Sequence, residues 1–225
     1  MAIDISYKFR FADGREEVFE MAFTEPNMDL IASDKPSTAR WTSLEFCQCD
    51  HCPLDPQVTS VCPPAHDLQA AVDALGQEYS YTEVTLEVET VERRTVAKTT
   101  MSSAFSSLMG LIMATTGCPY TSFFKPMARF HLPLASESET AYRAISTYLL
   151  KEMIEKGQCT DFKGLETIYK NMEKVNLAFA QRLQQSGRLK EINSLVKLDV
   201  HAKNMSIFLQ DSLEELTPLF KEPSS

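Results

Sequence analysis

The sequence predicts an α+β fold, in which an N-terminal antiparallel sheet with a short helix packs against a C-terminal bundle of about four helices. Three observations support this class. Apolar and polar residues alternate along much of residues 1–98, apolar residues recur at helical spacing after residue 136, and the uncharged segment 99–124 separates the two patterns. The chain has 225 residues, of which 44% are hydrophobic, and this is enough to bury a core.

The first two strands are predicted as a hairpin. Apolar residues alternate with polar ones over 5–11, residues 12–14 supply the turn, and a return run begins over 18–23.

Three further strands and one helix are predicted in the rest of the first half. Residues 41–46 form a short strand candidate, and the helix covers 66–76, where the apolar residues share one face. Two more strands follow, over 81–89 and from Val91 into 93–96.

The second half is predicted to be helical. The segment 99–124 reads as a helix buried in protein, because its continuous apolar part, 108–114, is far shorter than the roughly 20 residues that cross a bilayer. Ser136 and Glu139 have the spacing of a capping box, in which each side chain bonds the other residue's backbone, and they should begin the next helix.

Two long helices complete the prediction. Asp161 is expected to cap the first, Gly187 to end it, and an apolar stripe over 192–216 marks the second. We divide the chain into a strand-rich region, 1–98, and a helical region, 99–220. We expect these regions to form one fused domain, followed by a short tail at 221–225.

Composition limits the partners and the compartment. The formal net charge of −9 argues against nucleic acid or an anionic membrane as the main partner. Residues 1–11 lack the apolar core of a secretory signal, so we expect a cytoplasmic protein. A protein partner or a second copy of the chain is compatible with the apolar stripes of the helices.

Cysteines carry the strongest chemical signal. Four of the six lie between Cys47 and Cys62, and Cys49 and Cys52 have the two-residue spacer that lets both sulfurs reach one tetrahedral ion. In a reducing compartment such thiols are more often metal ligands or redox groups than disulfides. Reduced thiols that pack as small apolar residues are the simplest alternative.

The fourth metal ligand is left open among three residues. Cys118 ranks first, because it follows the uncharged helix and would tie the two halves together, and Cys47 and His66 rank second and third. Zinc is the expected metal, since four thiolates suffice for a structural zinc site. An iron–sulfur cluster is the alternative. Cys159 stands alone in a loop and is expected to be unrelated.

A connector after Cys118 offers a second candidate site. Arg129 could bind an anion and His131 could act as a base or ligand, in an iron–sulfur redox protein or a metal-dependent enzyme. We favour the structural interpretation, in which Arg129 pairs with a carboxylate and His131 is hydrogen bonded inside a packed connector. The sequence contains no GxGxxG, GxxxxGK[ST], HExxH or GxSxG motif, so no catalytic residue is assigned and a binding role is favoured.

Four segments carry a resemblance to known sequences. Cys49–Leu54, Cys62–Ala65, Thr116–Pro119 and Pro126–Pro133 together resemble an uncharacterised family of bacterial proteins of similar length. The resemblance implies a bacterial cytoplasmic protein with no assigned activity. It also implies one cysteine set, formed by Cys49, Cys52, Cys62 and Cys118, to which Cys47 would be extra. The function expected is a structural four-cysteine metal site that links the sheet and the helices, in a regulatory or protein-interaction role.

Overall fold

Among the described residues, four strands form one antiparallel sheet in the N-terminal half, which confirms the predicted sheet. The computed structural model describes residues 2–31, 39–159, 161–188, 211 and 213–221. The strands lie in the spatial order β2-β1-β3-β4. Their bounds are Ala2–Phe11 for β1, Glu16–Thr24 for β2, Glu83–Thr90 for β3 and Arg94–Thr100 for β4.

The central strand β1 buries one face. Tyr7 pairs with Phe19 of β2 on one side and with Val88 of β3 on the other. Because side chains alternate along a strand, every second residue of β1 points into the core. The buried residues of β1 are Ile3, Ile5, Tyr7, Phe9 and Phe11.

The helices lie mostly in the C-terminal half, so the α+β prediction is confirmed. In the described part of the chain, two short α-helices precede β3 and the other α-helices follow β4. Their bounds are Pro63–Asp67 for α1, Gln69–Leu75 for α2, Met101–Thr115 for α3, Lys125–Arg129 for α4, Glu137–Lys156 for α5 and Lys163–Ser186 for α6. Short 3-10 helices occur at Arg40–Thr42, Ser122–Phe124 and Thr217–Phe220.

The chain passes from β4 into α3 without a linker. Met101 and Ser102 donate their backbone N–H groups to the carbonyls of Thr82, at 2.7 Å, and Ser80, at 2.9 Å. Thr100 caps the helix by accepting the N–H of Ser103. Most of α3 is buried on several sides, which explains why this segment contains no charged residue.

Local sequence signals fix the ends of α5 and α6. The capping box of Ser136 and Glu139 is present at the start of α5, and Gly187 ends α6 in the left-handed conformation at φ 64°. The start of α6 differs from the prediction. The N-cap residue is Phe162, while the carboxylate of Asp161 accepts the N–H of Lys163 at 3.0 Å.

Two local predictions are wrong. Residues 41–46 form the 3-10 helix Arg40–Thr42 and turns rather than a strand, with one isolated bridge between Ser43 and Val61. The backbone carbonyls of this segment are bound by the side chain of Arg182 and therefore do not serve a sheet.

The helix predicted over 66–76 is shifted and divided. The structure has α1 and α2 there, and the two helices meet at Leu68. Leu68 is fully buried, so the division keeps its side chain in the core.

One large core joins the sheet to the helices. It contains the inner faces of β1 and β3, nearly all of α3 and the apolar side of α6. A smaller core lies between α5 and α6, around Tyr148 and Tyr169. Most of the last predicted helix, 192–216, and the tail fall outside the described residues. Within the described ranges, none of the helices combines the length and the apolar character that crossing a bilayer requires.

Candidate metal centre

Cys62 is fixed by a short backbone pairing with the turn that follows Trp41. The Cys62 N–H donates to the carbonyl of Thr42 at 2.8 Å, and the Leu44 N–H donates to the carbonyl of Ser60 at 3.0 Å. Cys62 is also the N-cap residue of α1, and Pro63 occupies the first position of that helix, where its fixed φ and missing N–H are tolerated. The thiol therefore has a defined position at a helix start.

Cys49 and Cys52 lie on one tight turn. The Cys52 N–H donates to the carbonyl of Cys49 at 2.9 Å, which is the i to i+3 bond of a β-turn. The Gln48 side chain closes the loop by donating to the carbonyl of Leu54 at 3.0 Å. This turn matches the two-residue spacer from which the sequence predicted a shared metal ion.

Cys118 approaches the same region from the end of α3. A Cβ atom added at Gly117 would lie 3.9 Å from the ring of Pro63, the residue that follows Cys62. Tyr120 reaches the cysteine turn, because its hydroxyl donates to the carbonyl of His51 at 2.6 Å. Three separate segments of the chain are thus held together by contacts between cysteine neighbours.

The four thiols share one electrostatic environment. Burial raises the pKa of the Cys49 thiol to about 12, and the charges of Cys62, Cys52 and Cys118 act in the same direction. Burial likewise raises the pKa of the Cys62 and Cys118 thiols. At neutral pH these three thiols are therefore protonated in the metal-free chain, and metal binding must displace their protons.

Backbone N–H groups point at two of the thiols. Ala65 donates to Cys62, and Tyr120 and Thr121 donate to Cys118, and each bond lowers the thiol pKa against the effect of burial. Hydrogen bonds of this kind stabilise the charged form of the acceptor. At both sulfurs these donors offset only part of the effect of burial, and the thiol pKa values stay raised.

Arg182 of α6 is a buried cation beside these cysteines. Only 2% of the residue is exposed, and its guanidinium donates to the carbonyls of Trp41, Ser43 and Leu44. Burial lowers its pKa, while four cysteine side chains act against that shift, namely Cys62, Cys47, Cys49 and Cys52. In the part of the chain that the structure describes, no carboxylate forms an ion pair with it.

Arg182 is the site residue that the sequence analysis missed. It occupies a position of α6 between the buried Phe179 and Leu183. A charged residue inside the apolar stripe of a helix was the available signal, since buried charges need partners. The identity of those partners depends on residues more than a hundred positions away in the chain.

The described residues do not form a closed metal site as they stand. Across those residues, no three His, Cys, Asp or Glu side chains are placed so that they could hold an ion. Charge interactions act over longer distances than metal–sulfur bonds, so thiols that share an environment need not touch. Neutral thiols also lack the charge that attracts them to an ion.

The other candidate ligands differ in their surroundings. Cys47 has a left-handed backbone conformation at φ 53°, and its charge acts to raise the pKa of Arg182. His66 is hydrogen bonded through Nδ1 to Asp67 at 2.8 Å. Cys159 lies apart from the other cysteines, against the smaller core, where its thiol donates to the carbonyl of Asp161.

Arg129 and His131 of the connector have structural partners, in agreement with the structural interpretation that we favoured. Arg129 pairs with Glu92 at 3.2 Å. His131 is buried, and its Nε2 is hydrogen bonded to the hydroxyl of Tyr7, which in turn bonds Ser107 at 2.9 Å. Burial lowers the pKa of His131 to about 3, so its ring is neutral at pH 7. The contacts of both residues lead to Glu92 and Tyr7 rather than to the cysteines.

Comparison with known proteins gives one match. A family model described as a domain of unknown function (DUF6901) matches residues 5–221. No curated protein and no solved structure matches the chain.

Proposed function

Because the chain belongs to the DUF6901 family, whose description assigns no activity, we propose its function from the cysteine centre itself. The protein binds one zinc ion through four cysteines, namely Cys49, Cys52, Cys62 and Cys118. The ion stabilises the fold and serves a regulatory or protein-interaction role rather than turnover. A closed shell of four thiolates leaves no position open for a substrate.

One observation carries the proposal. Cys49, Cys62 and Cys118 lie on three separate segments, and the charges of Cys62, Cys52 and Cys118 add to the effect of burial in raising the pKa of the Cys49 thiol. Backbone N–H groups donate to the sulfurs of Cys62 and Cys118, and such donors favour thiolate over thiol. Zinc binding requires the four side chains to close on the ion from their present positions.

Arg182 supports an anionic centre at this place. A zinc ion bound by four thiolates carries a net negative charge, and a buried guanidinium needs a counter-charge. The cysteines are the acidic groups named in the electrostatics of Arg182. A zinc centre would thus give Arg182 a counter-charge that neutral thiols do not supply.

The ion would join distant parts of the chain. Cys118 follows α3, whereas the other three ligands precede α1 or lie at its start. A metal that closes such a long loop restricts the unfolded chain strongly. We therefore assign the zinc a structural role that couples the strand-rich region to the helical region.

The experiment measures metal content on protein purified without air and without chelator. We expect about one zinc per chain and no visible absorption. Cys49→Ser, Cys62→Ser and Cys118→Ser should each lose the metal, while the matched control Cys159→Ser should keep it. A folded, metal-free native protein would contradict the proposal, and a brown protein that contains iron and sulfide would replace zinc by an iron–sulfur cluster.

The interaction role has a candidate surface on α5. Several large apolar side chains of this helix are exposed, namely Tyr142, Leu149, Leu150, Met153 and Ile154. We propose that this face contacts a protein partner or a second copy of the chain, in a reducing cytoplasm where the thiols stay available. Light scattering distinguishes the two. A native dimer that becomes monomeric in Leu150→Glu supports self-association, and a native monomer excludes a second copy of the chain as the occupant of this face.

A further inference from the structure

A cavity of about 600 Å³ lies on the side of α3 that faces α4, α5 and α6. Its volume falls in the range of sites that hold small organic ligands, about 300–1,000 Å³. It is separate from the proposed zinc site, because none of the six cysteines lines it. Much of the wall is apolar, with contributions from Leu111, Met113, Ala114, Phe124, Met127 and Met172.

One part of the wall carries a half-buried cation. Arg143 lines the cavity and donates to the backbone carbonyls of Met127 and Phe130. Among the described residues it has no carboxylate within ion-pair distance. Two carboxylates lie near this cation, namely Glu137, which belongs to the lining, and Glu139, whose charge acts on Arg143. Both residues are exposed at the start of α5, where water screens their charge. Inside the cavity the favoured ligand charge is therefore negative.

A second donor lies beside Arg143. Tyr169 of α6 is 5% exposed, it lines the same cavity, and it interacts electrostatically with Arg143. A guanidinium and a phenol hydroxyl together offer the N–H and O–H donors that a carboxylate accepts.

A third polar group of the wall lies farther along α6. Asn176 is 4% exposed and lines the cavity, and its Oδ1 has no hydrogen-bond partner among the described residues. Tyr169 and Asn176 are seven residues apart on one helix, which corresponds to roughly 10 Å. His131, another buried side chain of the wall, is already hydrogen bonded to Tyr7. Asn176 is therefore the buried group that a ligand would satisfy.

We propose that this cavity binds a small apolar carboxylate that carries a hydroxyl group roughly 10 Å from its carboxylate. Arg143 and Tyr169 hold the carboxylate, the apolar wall surrounds the chain, and Asn176 bonds the hydroxyl. A hydroxyl both donates and accepts, so it satisfies the amide of Asn176 in either orientation.

Binding of three eight-carbon probes to the native protein tests the proposal by calorimetry. We expect 8-hydroxyoctanoate to bind most tightly, octanoate several-fold more weakly because it lacks the hydroxyl, and octane-1,8-diol about tenfold more weakly than 8-hydroxyoctanoate because it lacks the carboxylate. Equal affinities for 8-hydroxyoctanoate and octane-1,8-diol, or no binding of any probe, would overturn the proposal. Equal affinities for the two acids would overturn the assignment of Asn176.

Three variants locate the site. Gly110→Leu should abolish binding and still fold, because a Cβ at Gly110, a residue that lines the cavity, meets no atom within 4 Å. Arg143→Gln should remove the preference for 8-hydroxyoctanoate over octane-1,8-diol. Arg129→Gln, the matched control on a surface ion pair outside the cavity, should leave all affinities unchanged. If folded Gly110→Leu protein binds the probes as tightly as the native protein does, the probes bind outside the cavity and the proposal is wrong.

Discussion

Tyr120 joins the end of α3 to the cysteine turn by two contacts with His51. Its hydroxyl donates to the His51 carbonyl at 2.6 Å, and the two rings stack with their centroids 4.2 Å apart. Both residues lie next to proposed zinc ligands, since Tyr120 follows Cys118 by two positions and His51 precedes Cys52. The pair fixes the distance between two ligand segments before any metal is bound.

Removing that hydrogen bond should weaken the fold and the metal site together. We expect Tyr120→Phe to lower the free energy of unfolding by about 1 kcal/mol, the usual worth of a partly buried hydrogen bond, and to weaken zinc binding. Urea unfolding with and without chelator measures both effects. Tyr142→Phe is the matched control, because Tyr142 is 49% exposed. Equal stability of the two variants would show that the Tyr120 hydroxyl is not structural.

Arg182 should be among the most sensitive positions outside the cysteines. Arg182→Met removes the donors of three backbone carbonyls in residues 41–44. Buried acceptors left without donors cost about 1–3 kcal/mol each, so we expect a loss of at least about 3 kcal/mol in the free energy of unfolding. Zinc affinity should fall as well, because the counter-charge is lost. Arg188→Met removes an exposed pair with Asp73 and should change stability by less than about 1 kcal/mol.

The metal-free protein should lose stability in alkali. The folded pKa of Cys49 is raised from 9.0 to about 12, so its contribution is complete below pH 9 and is lost as the pH rises towards 12. We expect the free energy of unfolding of chelator-treated protein to fall between pH 9 and 11, and Cys49→Ser to flatten that part of the curve. An unchanged slope in the variant would mean that another group causes the loss.

We expect acid to destabilise the protein through the protonation of His131 on unfolding. Its folded pKa is lowered from 6.5 to about 3, so the unfolded chain binds a proton that the folded chain excludes. Stability should therefore fall below pH 6.5 by about 1.4 kcal/mol per pH unit on account of this residue. His131→Gln keeps an acceptor for Tyr7 and should reduce the slope in acid-unfolding curves. His66→Gln serves as the control, and an equal reduction there would contradict the assignment.

Sequence reasoning succeeded where a structure depends on neighbouring residues. The capping box of Ser136 and Glu139 and the αL end at Gly187 need only a few positions of sequence. The strand prediction for 41–46 failed because a residue far along the chain, Arg182, binds the carbonyls there. The alternation of apolar and polar residues over 41–46 contains no information about a partner so far along the chain.

For the candidate metal site, too, the local part could be predicted from the sequence and the long-range part could not. The turn that contains Cys49 and Cys52 could be predicted from their spacing. In the structure, the hydrogen bond from the Cys52 N–H to the Cys49 carbonyl closes this turn. The approach of Cys118 depends on the contact of Gly117 with Pro63 and on the bond of Tyr120 to His51. These contacts arise only after α3 has packed in the core. Spacing suggested the set of cysteines, but tertiary packing decides how near their segments lie to one another.

The direct passage from β4 to α3 bears on how the chain can be divided. A cut between Thr100 and Met101 would separate a cap from its helix and disturb the backbone bonds to Thr82 and Ser80. The sheet would lose the helix that covers it, and neither fragment would keep the main core. Exposed loops, such as the turn at Gly14, are suitable sites for a split reporter or a circular permutant. The junction between β4 and α3 is unsuitable, because a cut there would open the main core.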